Sequence, residues 1–190
     1  MNIQILQEAP EAFLHCPYIE EVDTTPRVKV VLAARSFLER HGQQGAYGQV
    51  CLQMPEAMAA DDPERWTSGT GTLYGTGRRA EDYTKIVPEA EWVLPLLAYC
   101  EQHSGLKAVR TRIMTAQPGR CLSYHKDAEK WRYHVPLVSH TSARFLVADT
   151  VGNMPVIGAV YRLRTDLMHT AINASKTEAR THLVVCMVER

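Results

Sequence analysis

The segment CLSYHKDAEKWRYHVPLV, residues 121–138, contains the residues that decide both the fold and the chemistry. Its second half has the alternation of a β-strand, which we predict over 132–139. Its first half contains His125 and Asp127, and side chains two residues apart in an extended chain point to the same face. The two side chains can therefore reach one metal ion.

Two further residues extend this pattern toward the end of the sequence. His169 supplies a second imidazole from a distant strand, and Arg180 supplies a cation after it. Two histidines and one carboxylate on one face of a metal, with other positions open, are typical of non-haem Fe(II) oxygenases. Taken singly, His169 is more typical of a core histidine and Arg180 of a strand-end charge in solvent, so the interpretation depends on the whole set.

The rest of the chain predicts helices first and strands later. Thr24-Thr25-Pro26 precedes a capped helix that closes near His41 and is followed by Gly42. A second helix begins near Pro88, is divided or kinked by Pro95, and stops by Ser104-Gly105. A short strand is expected at 49–53 and long loops over 55–82. Later strands are expected at 108–114, 132–139, 144–148, 156–163 and 181–188.

This order of elements predicts a mainly β protein with flanking helices, in which a sandwich or barrel carries the helices outside. With 190 residues and no repeat or linker, we expect a single domain over 1–190. The strand-rich part is expected to hold the chemistry.

Composition excludes several classes of function. Lys+Arg and Asp+Glu number 21 each, which gives no broad attraction to nucleic acid or anionic membranes. Apolar runs fall short of the ~20 residues that span a bilayer, and the first residues lack the features of a signal peptide, so we expect a cytoplasmic protein. The five scattered cysteines form no C-x-x-C pair and predict reduced, packed thiols.

Five short elements, in this order and spacing, resemble the aspartyl/asparaginyl β-hydroxylase family and the related free-proline hydroxylases. These are 2-oxoglutarate- and Fe(II)-dependent oxygenases. The resemblance covers about 118–188 and implies a double-stranded β-helix, the jelly-roll, cupin-like fold. Its elements are Pro118-Gly119, His125-Lys126-Asp127, Arg132-Tyr133-His134-Val135-Pro136-Leu137, Met168-His169-Thr170-Ala171-Ile172-Asn173 and Arg180-Thr181-His182-Leu183-Val184-Val185.

The resemblance also implies roles for single residues. His125, Asp127 and His169 would be the iron ligands, and Arg180 would bind the distal carboxylate of 2-oxoglutarate with two charge-assisted hydrogen bonds. His134, and with it Arg132, would lie at the co-substrate. Some relatives have lost the carboxylate ligand, so the retained Asp127 favours a complete three-ligand site.

The N-terminal part, 1–105, shows no resemblance that we can place. We expect it to be helical and looped, to pack on the jelly-roll core of 106–190, and to determine substrate specificity. Its glycine-rich stretch 69–79 matches neither phosphate-loop pattern and is typical of a flexible loop. A sharper interpretation is a lid over the iron. Predicted substrate contacts are Trp66, Tyr74, Arg78, Arg79 and Asn173.

The leading functional hypothesis is therefore hydroxylation of an unactivated carbon of an amino acid, free and proline-like or within a peptide, coupled to decarboxylation of 2-oxoglutarate to succinate. Ascorbate is the expected reductant in vitro. The alternatives are an oxygenase of this class acting on another small metabolite or a peptide precursor, and a non-catalytic cupin-like protein that binds a metal or organic acid. A zinc hydrolase is disfavoured because no nearby Glu is placed as a general base. Nothing in the sequence predicts the oligomeric state.

Overall fold

Antiparallel β-sheet dominates the part of the chain that the structure, a computed structural model, describes: residues 14–41, 48–56 and 78–190. Two α-helices lie in these ranges, α1 (Val28–His41) and α2 (Leu94–Ser104). The strands there are β1 (Ile19–Asp23), β2 (Gln49–Cys51), β3 (Gln53–Pro55), β4 (Tyr83–Ile86), β5 (Lys107–Ala116), β6 (Arg120–Cys121), β7 (Trp131–Val138), β8 (Ala143–Val147), β9 (Thr150–Gly152), β10 (Val160–Arg164), β11 (His169–Asn173) and β12 (Arg180–Val188).

These strands form two main sheets. The larger has the order β1-β10-β7-β12-β5-β2, and the smaller has the order β6-β11-β8-β9. β3 and β4 form a separate pair. A mainly β, antiparallel architecture with two flanking helices confirms the predicted fold class.

Alternation along β12 separates the two faces of the larger sheet. Leu183, Val185 and Met187 join the hydrophobic cluster that also contains α1 and α2 residues, so this face packs under the helices. His182 instead contacts Phe145 of the smaller sheet. The opposite face of β12 therefore looks into the space between the two sheets.

The first helix follows the sequence prediction closely. α1 ends at His41 as expected and buries Val31, Ala34 and Phe37 at helical spacing. The prediction for the second helix was wrong in its start. A 3₁₀ turn (Glu91–Val93) comes first, and Pro95 lies in the first turn of α2, where its missing N–H breaks no helical hydrogen bond. Gly105, at φ 72°, ends α2.

The strand predictions were accurate in the centre of the larger sheet and weaker at its edges. β5, β7, β8 and β12 match the expected segments, but the segment 156–163 begins its strand only at Val160. Gly158 adopts φ +82° and the Ala159 N–H donates to the carbonyl of Val156, so the chain turns before β10. The predicted strand 49–53 is divided into β2 and β3.

The N-terminal part contributes strands as well as helices. β1 pairs with β10, and β2 pairs with β5. β1 was not predicted because IEEVD places two glutamates beside one another instead of alternating. The larger sheet therefore contains residues from both sides of position 105.

The cysteines and the helices of the described chain bear on two expectations drawn from composition. Four of the five cysteines are buried, and Cys121 is exposed. Neither helix of the described ranges has the length and apolar character needed to cross a membrane.

Candidate metal and co-substrate site

Three of the sequence-predicted residues converge at one end of the space between the sheets. His125 precedes β7, and its backbone exchanges two hydrogen bonds with His169, the first residue of β11 (3.0 and 2.7 Å). The Asp127 N–H donates to the carbonyl of Thr165 at 2.7 Å. Their candidate ligand atoms all lie within 4.8 Å of one another.

The two imidazoles present the same nitrogen to the carboxylate. Nε2 of His125 lies 3.6 Å from Oδ1 of Asp127, and Nε2 of His169 lies 3.5 Å from Oδ2. Each Nδ1 lies near a backbone carbonyl two residues earlier, at 2.7 Å for His125 and 2.9 Å for His169. Because a carbonyl only accepts, each Nδ1 carries the proton, and each Nε2 has a lone pair. Histidines that bind metals are oriented in this way.

Asp127 is held by a cation on β7. Nη1 of Arg132 lies 2.7 Å from Oδ2 of Asp127, and Nη2 lies 3.2 Å from Oε2 of Glu129. The contact with Asp127 is an ion pair without hydrogen-bond geometry, so the buried Oδ2 has no hydrogen-bond donor among the described residues. Burial lowers the pKa of Arg132, but Cys186 and the two carboxylates more than offset this and raise it.

This arrangement fits a divalent metal. Burial is the main cause that lowers the pKa of His169, which favours the neutral imidazole that ligation requires. Two neutral imidazoles and one carboxylate suit a borderline ion such as Fe(II). Three protein ligands on one side leave coordination positions for small molecules.

A second cluster lies deeper between the sheets, around Arg180. Arg180 is 5% exposed, and its guanidinium stacks on the Phe145 ring at 4.4 Å and lies 3.3 Å from Nδ1 of His182. Its Nε has no hydrogen-bond partner in the described part of the chain. Burial lowers the pKa of Arg180 to about 9, which still leaves it charged at neutral pH. A buried cation without an anion is a ready carboxylate site.

His134 completes this cluster. It is 6% exposed, packs edge-on against Phe145 and His182, and neither ring nitrogen has a partner among the described residues. Burial, and then the charge of Arg180, hold its pKa well below the usual value. The structure thus brings His134 and Arg180 together, while Arg132 is engaged with Asp127.

Arg112 on β5 is a buried charged residue that the sequence motifs do not predict. Arg112 and His134 both pair with Val184 of β12, from opposite sides, so they share a face about two strand spacings, roughly 10 Å, apart. Arg112 is 3% exposed, and its Nη1 has no partner in the described ranges. Burial lowers its pKa to about 10. A charged residue at an inward position of the predicted strand 108–114 was the available signal.

Of the residues predicted to contact the substrate, some lie outside the described part of the chain and others can be placed. Trp66, Tyr74 and most of the glycine-rich stretch lie outside the described residues. Arg78 is half-buried and Arg79 is exposed, next to the 3₁₀ turn (Ala80–Asp82).

Asn173 is braced by the backbone. Its Nδ2 donates to the carbonyls of Ala116 and Glu178, both at 2.9 Å, and its Oδ1 accepts from the N–H of Ser175 at 3.1 Å. Both amide hydrogens are thus used between β5 and the turn before β12. A substrate contact from Asn173 stays a prediction.

Comparison with solved structures shows which known proteins share this fold. Similar solved structures include a 2-oxoglutarate–Fe(II) oxygenase family oxidoreductase from Burkholderia pseudomallei, with 13% identity, TM-score 0.60, and coverage of 84% of this chain and 78% of that chain. A Pseudomonas putida prolyl-4-hydroxylase has 14% identity, TM-score 0.53, and coverage of 90% and 92%. A viral collagen prolyl hydroxylase from Paramecium bursaria Chlorella virus 1, solved with 2-oxoglutarate, has 10% identity, TM-score 0.53, and coverage of 91% and 96%. At these identities the likeness shows the fold alone, which is the jelly-roll of these oxygenases.

The sequence itself identifies the family. The family model described as aspartyl/asparaginyl β-hydroxylase matches residues 43–190, so the chain belongs to this family. It is accordingly an enzyme of the 2-oxoglutarate- and Fe(II)-dependent oxygenase class, a hydroxylase. The predicted family and the predicted enzyme class are both confirmed. The match begins well before 118, which corrects the view that the first 105 residues show no resemblance. No curated protein sequence matches the chain.

Proposed function

We propose that the protein hydroxylates an unactivated carbon of a small free amino acid, with proline-like compounds as the first candidates. The observation that carries the proposal is that candidate ligand atoms of three side chains lie within 4.8 Å of one another, while the buried guanidinium of Arg180 has no carboxylate partner among the described residues. In this reaction one oxygen atom of O₂ enters the substrate and the other enters succinate, while the first carboxyl carbon of 2-oxoglutarate leaves as CO₂.

The metal residues have one task in this scheme. His125, Asp127 and His169 would hold Fe(II), which when bound would supply oxygen activation and Lewis acidity. Arg132 keeps the carboxylate of Asp127 in place through the 2.7 Å ion pair. The backbone carbonyls of Ser123 and Leu167 keep both Nε2 lone pairs directed toward the carboxylate.

Co-substrate recognition belongs to the deeper cluster. Arg180 would pair with the distal carboxylate of 2-oxoglutarate, since a buried guanidinium can donate two parallel hydrogen bonds that the ammonium of Lys cannot reproduce. His134, which is buried and whose ring nitrogens have no partner in the part of the chain that the structure describes, would contact the same molecule. These groups fix its orientation before oxygen is used.

Arg112 supports a substrate that itself carries a carboxylate. Its guanidinium is buried on the same face as His134, and no carboxylate pairs with it within the described ranges. A buried charge is stabilised by a paired anion, which a free amino acid would supply. Within a peptide, a proline-like residue has lost its α-carboxylate to the peptide bond and would leave Arg112 unpaired, so the free form is favoured for such a substrate.

The direct experiment incubates the purified protein with Fe(II), 2-oxoglutarate, ascorbate and oxygen, and measures succinate by mass spectrometry with each free amino acid in turn. A gain of one oxygen on one amino acid, matched by succinate, is the expected result. Ascorbate serves to keep the iron reduced. Binding of metal and 2-oxoglutarate without turnover of any free amino acid would contradict the proposed substrate class.

A second experiment tests the substrate carboxylate. The preferred amino acid is compared with its carboxamide, in wild type and in Arg112→Gln. Wild type should favour the free acid, and the variant should lose most of that preference while keeping its KM for 2-oxoglutarate. An unchanged preference would remove Arg112 from the substrate site.

A further inference from the structure

His182 is a buried polar residue that has no role in the function proposed so far. It lies on β12 two residues after Arg180 and is 1% exposed. Its ring lies edge-on to His134, with centroids 5.7 Å apart, and tilted against Phe145 at 5.9 Å. The imidazole is thus between the two sheets, in the cluster around Arg180.

The contact with Arg180 fixes how the His182 ring is protonated. Nη2 of Arg180 lies 3.3 Å from Nδ1 of His182. A guanidinium only donates hydrogen bonds, so Nδ1 accepts, and the neutral ring carries its hydrogen on Nε2. Burial first, and then the charge of Arg180, hold the pKa of His182 well below its usual value, which favours that neutral form.

The remaining N–H of His182, on Nε2, meets no acceptor within the described ranges. Nε2 is fully buried and without a hydrogen-bond partner among the described residues. A buried donor left unpaired is destabilising, so native structures generally satisfy such groups. Nε of Arg180 and both nitrogens of His134 have the same property in this cluster. Several unpaired polar atoms, contributed by three neighbouring buried side chains, indicate one shared polar ligand.

We propose that His182 is a binding and positioning residue for the dicarboxylate co-substrate, in which Nδ1 orients the guanidinium of Arg180 and Nε2–H, on the far side of the ring, donates to another oxygen of the same co-substrate. This inference rests on the proposed use of 2-oxoglutarate. A neutral imidazole adds a directional hydrogen-bond donor without adding a second positive charge. The single charge of Arg180 therefore still balances the single charge of one carboxylate. Recognition then depends on a hydrogen bond as well as on charge.

The test separates the two nitrogens of the ring. In His182→Gln the amide nitrogen can occupy the place of Nε2, in His182→Asn it lies nearer the place of Nδ1, and His182→Phe keeps the ring shape without either nitrogen. Each protein is loaded with Mn(II) in place of Fe(II) and titrated with glutarate and with 2-oxoglutarate in a calorimeter. Glutarate carries the distal carboxylate but no 2-oxo group, so it reports on the carboxylate site without chelation.

The expected order of glutarate affinity is wild type, then Gln, then Asn and Phe. Phe should raise the Kd at least about tenfold, and Gln should stay within about threefold of wild type. In the succinate assay, KM for 2-oxoglutarate should follow the same order, with kcat largely retained at saturation. Mn(II) affinity is the control for folding, because His125, Asp127 and His169 are unaltered.

Two outcomes would overturn the inference in different ways. If wild type binds 2-oxoglutarate but all three variants match it within about twofold, His182 is only structural. If wild type loaded with Mn(II) binds neither compound, the proposed function fails, and the inference fails with it. Should the Phe variant not fold, the Gln and Asn variants still decide between the two nitrogens.

Discussion

Arg132 and Asp127 form an ion pair inside the candidate metal site, with Nη1 of Arg132 2.7 Å from Oδ2 of Asp127. Arg132 thus neutralises part of the negative charge of Asp127 that a bound metal would otherwise neutralise. Arg132→Met should destabilise the metal-free protein by about 1–3 kcal/mol, because it leaves a mostly buried carboxylate without its cation. Calorimetry with and without Mn(II) should show a larger metal-induced rise in Tm in the variant than in wild type.

The matched control for Arg132→Met is Arg164→Met, which breaks the more exposed ion pair with Asp166. It should change stability by less than about 1 kcal/mol and leave the metal-induced rise in Tm unchanged. Equal metal responses in wild type and in Arg132→Met would show that Arg132 does not act on the metal carboxylate.

Replacing either candidate histidine ligand should abolish metal binding. His125→Ala and His169→Ala each remove one of three ligands, and metal content after loading and desalting, measured by elemental analysis, should fall at least about tenfold. The exposed His15 provides the control, since His15→Ala should retain full metal content. Retention of stoichiometric metal by both ligand variants would contradict the assignment.

Arg180→Lys tests the carboxylate site while keeping the charge. The variant should hold Mn(II) normally but raise the KM for 2-oxoglutarate about 10-fold to 100-fold, because it replaces two charge-assisted hydrogen bonds by one. Arg162→Lys, on the half-buried side chain that pairs with Glu20, is the comparison. A KM equal to that of wild type would remove Arg180 from the co-substrate site.

The two buried histidines of the interior should make the protein sensitive to acid. The pKa values of His134 and His182 are both well below 6.5 in the folded state, mainly through burial. Below about pH 6.5 the unfolded chain therefore binds more protons, so the free energy of unfolding falls as pH falls and is independent of these groups above that range. Each histidine contributes at most about 1.4 kcal/mol per pH unit.

Urea unfolding at several pH values between 7.5 and 5.5, with metal removed by a chelator, measures this slope. His182→Gln should flatten the slope of the free energy of unfolding against pH by up to one proton relative to wild type. An identical slope in the His182 variant would mean that the buried ring is protonated in the folded state too.

Asn173→Ala distinguishes a structural amide from a substrate contact. The change removes three backbone hydrogen bonds and leaves the carbonyls of Ala116 and Glu178 and the N–H of Ser175 without this partner. The free energy of unfolding should fall by about 2–3 kcal/mol in urea titrations. KM for the amino acid, measured well below the Tm, should stay unchanged; a selective rise in KM would support the substrate role predicted from the sequence.

Much of the centre of the fold is visible in the sequence because buried strands have a clear pattern. β5, β7 and β12 are largely apolar or alternating segments bounded by turns, and each was predicted within a few residues. β1 was missed because an edge strand faces the solvent and need not alternate. Pro95 was misjudged because the start of a helix tolerates proline, and the sequence does not mark which turn comes first.

The residues of the candidate site also differ in how far the sequence predicts them. His125, Asp127 and His169 were recognisable as a set because metal ligation demands specific residue types in a fixed order. His182 and Arg112 carry no such motif, and their role depends on which face of a strand is buried and on what the neighbouring strands place beside them. Only strand register reveals that Arg112 and His134 flank the same residue, Val184.

The position of β12 also has a consequence for how the protein assembles. Within the described chain β12 is the last strand to be synthesised, yet it lies between β7 and β5, which do not pair with each other. The larger sheet therefore cannot form completely in the order in which its strands are synthesised. The facing edges of β5 and β7 stay unpaired until residues 180–188 have been synthesised. Such non-local pairing is typical of slow folding and exposes the nascent chain to aggregation. The strand that carries Arg180 would thus complete the sheet and the site in a single late step.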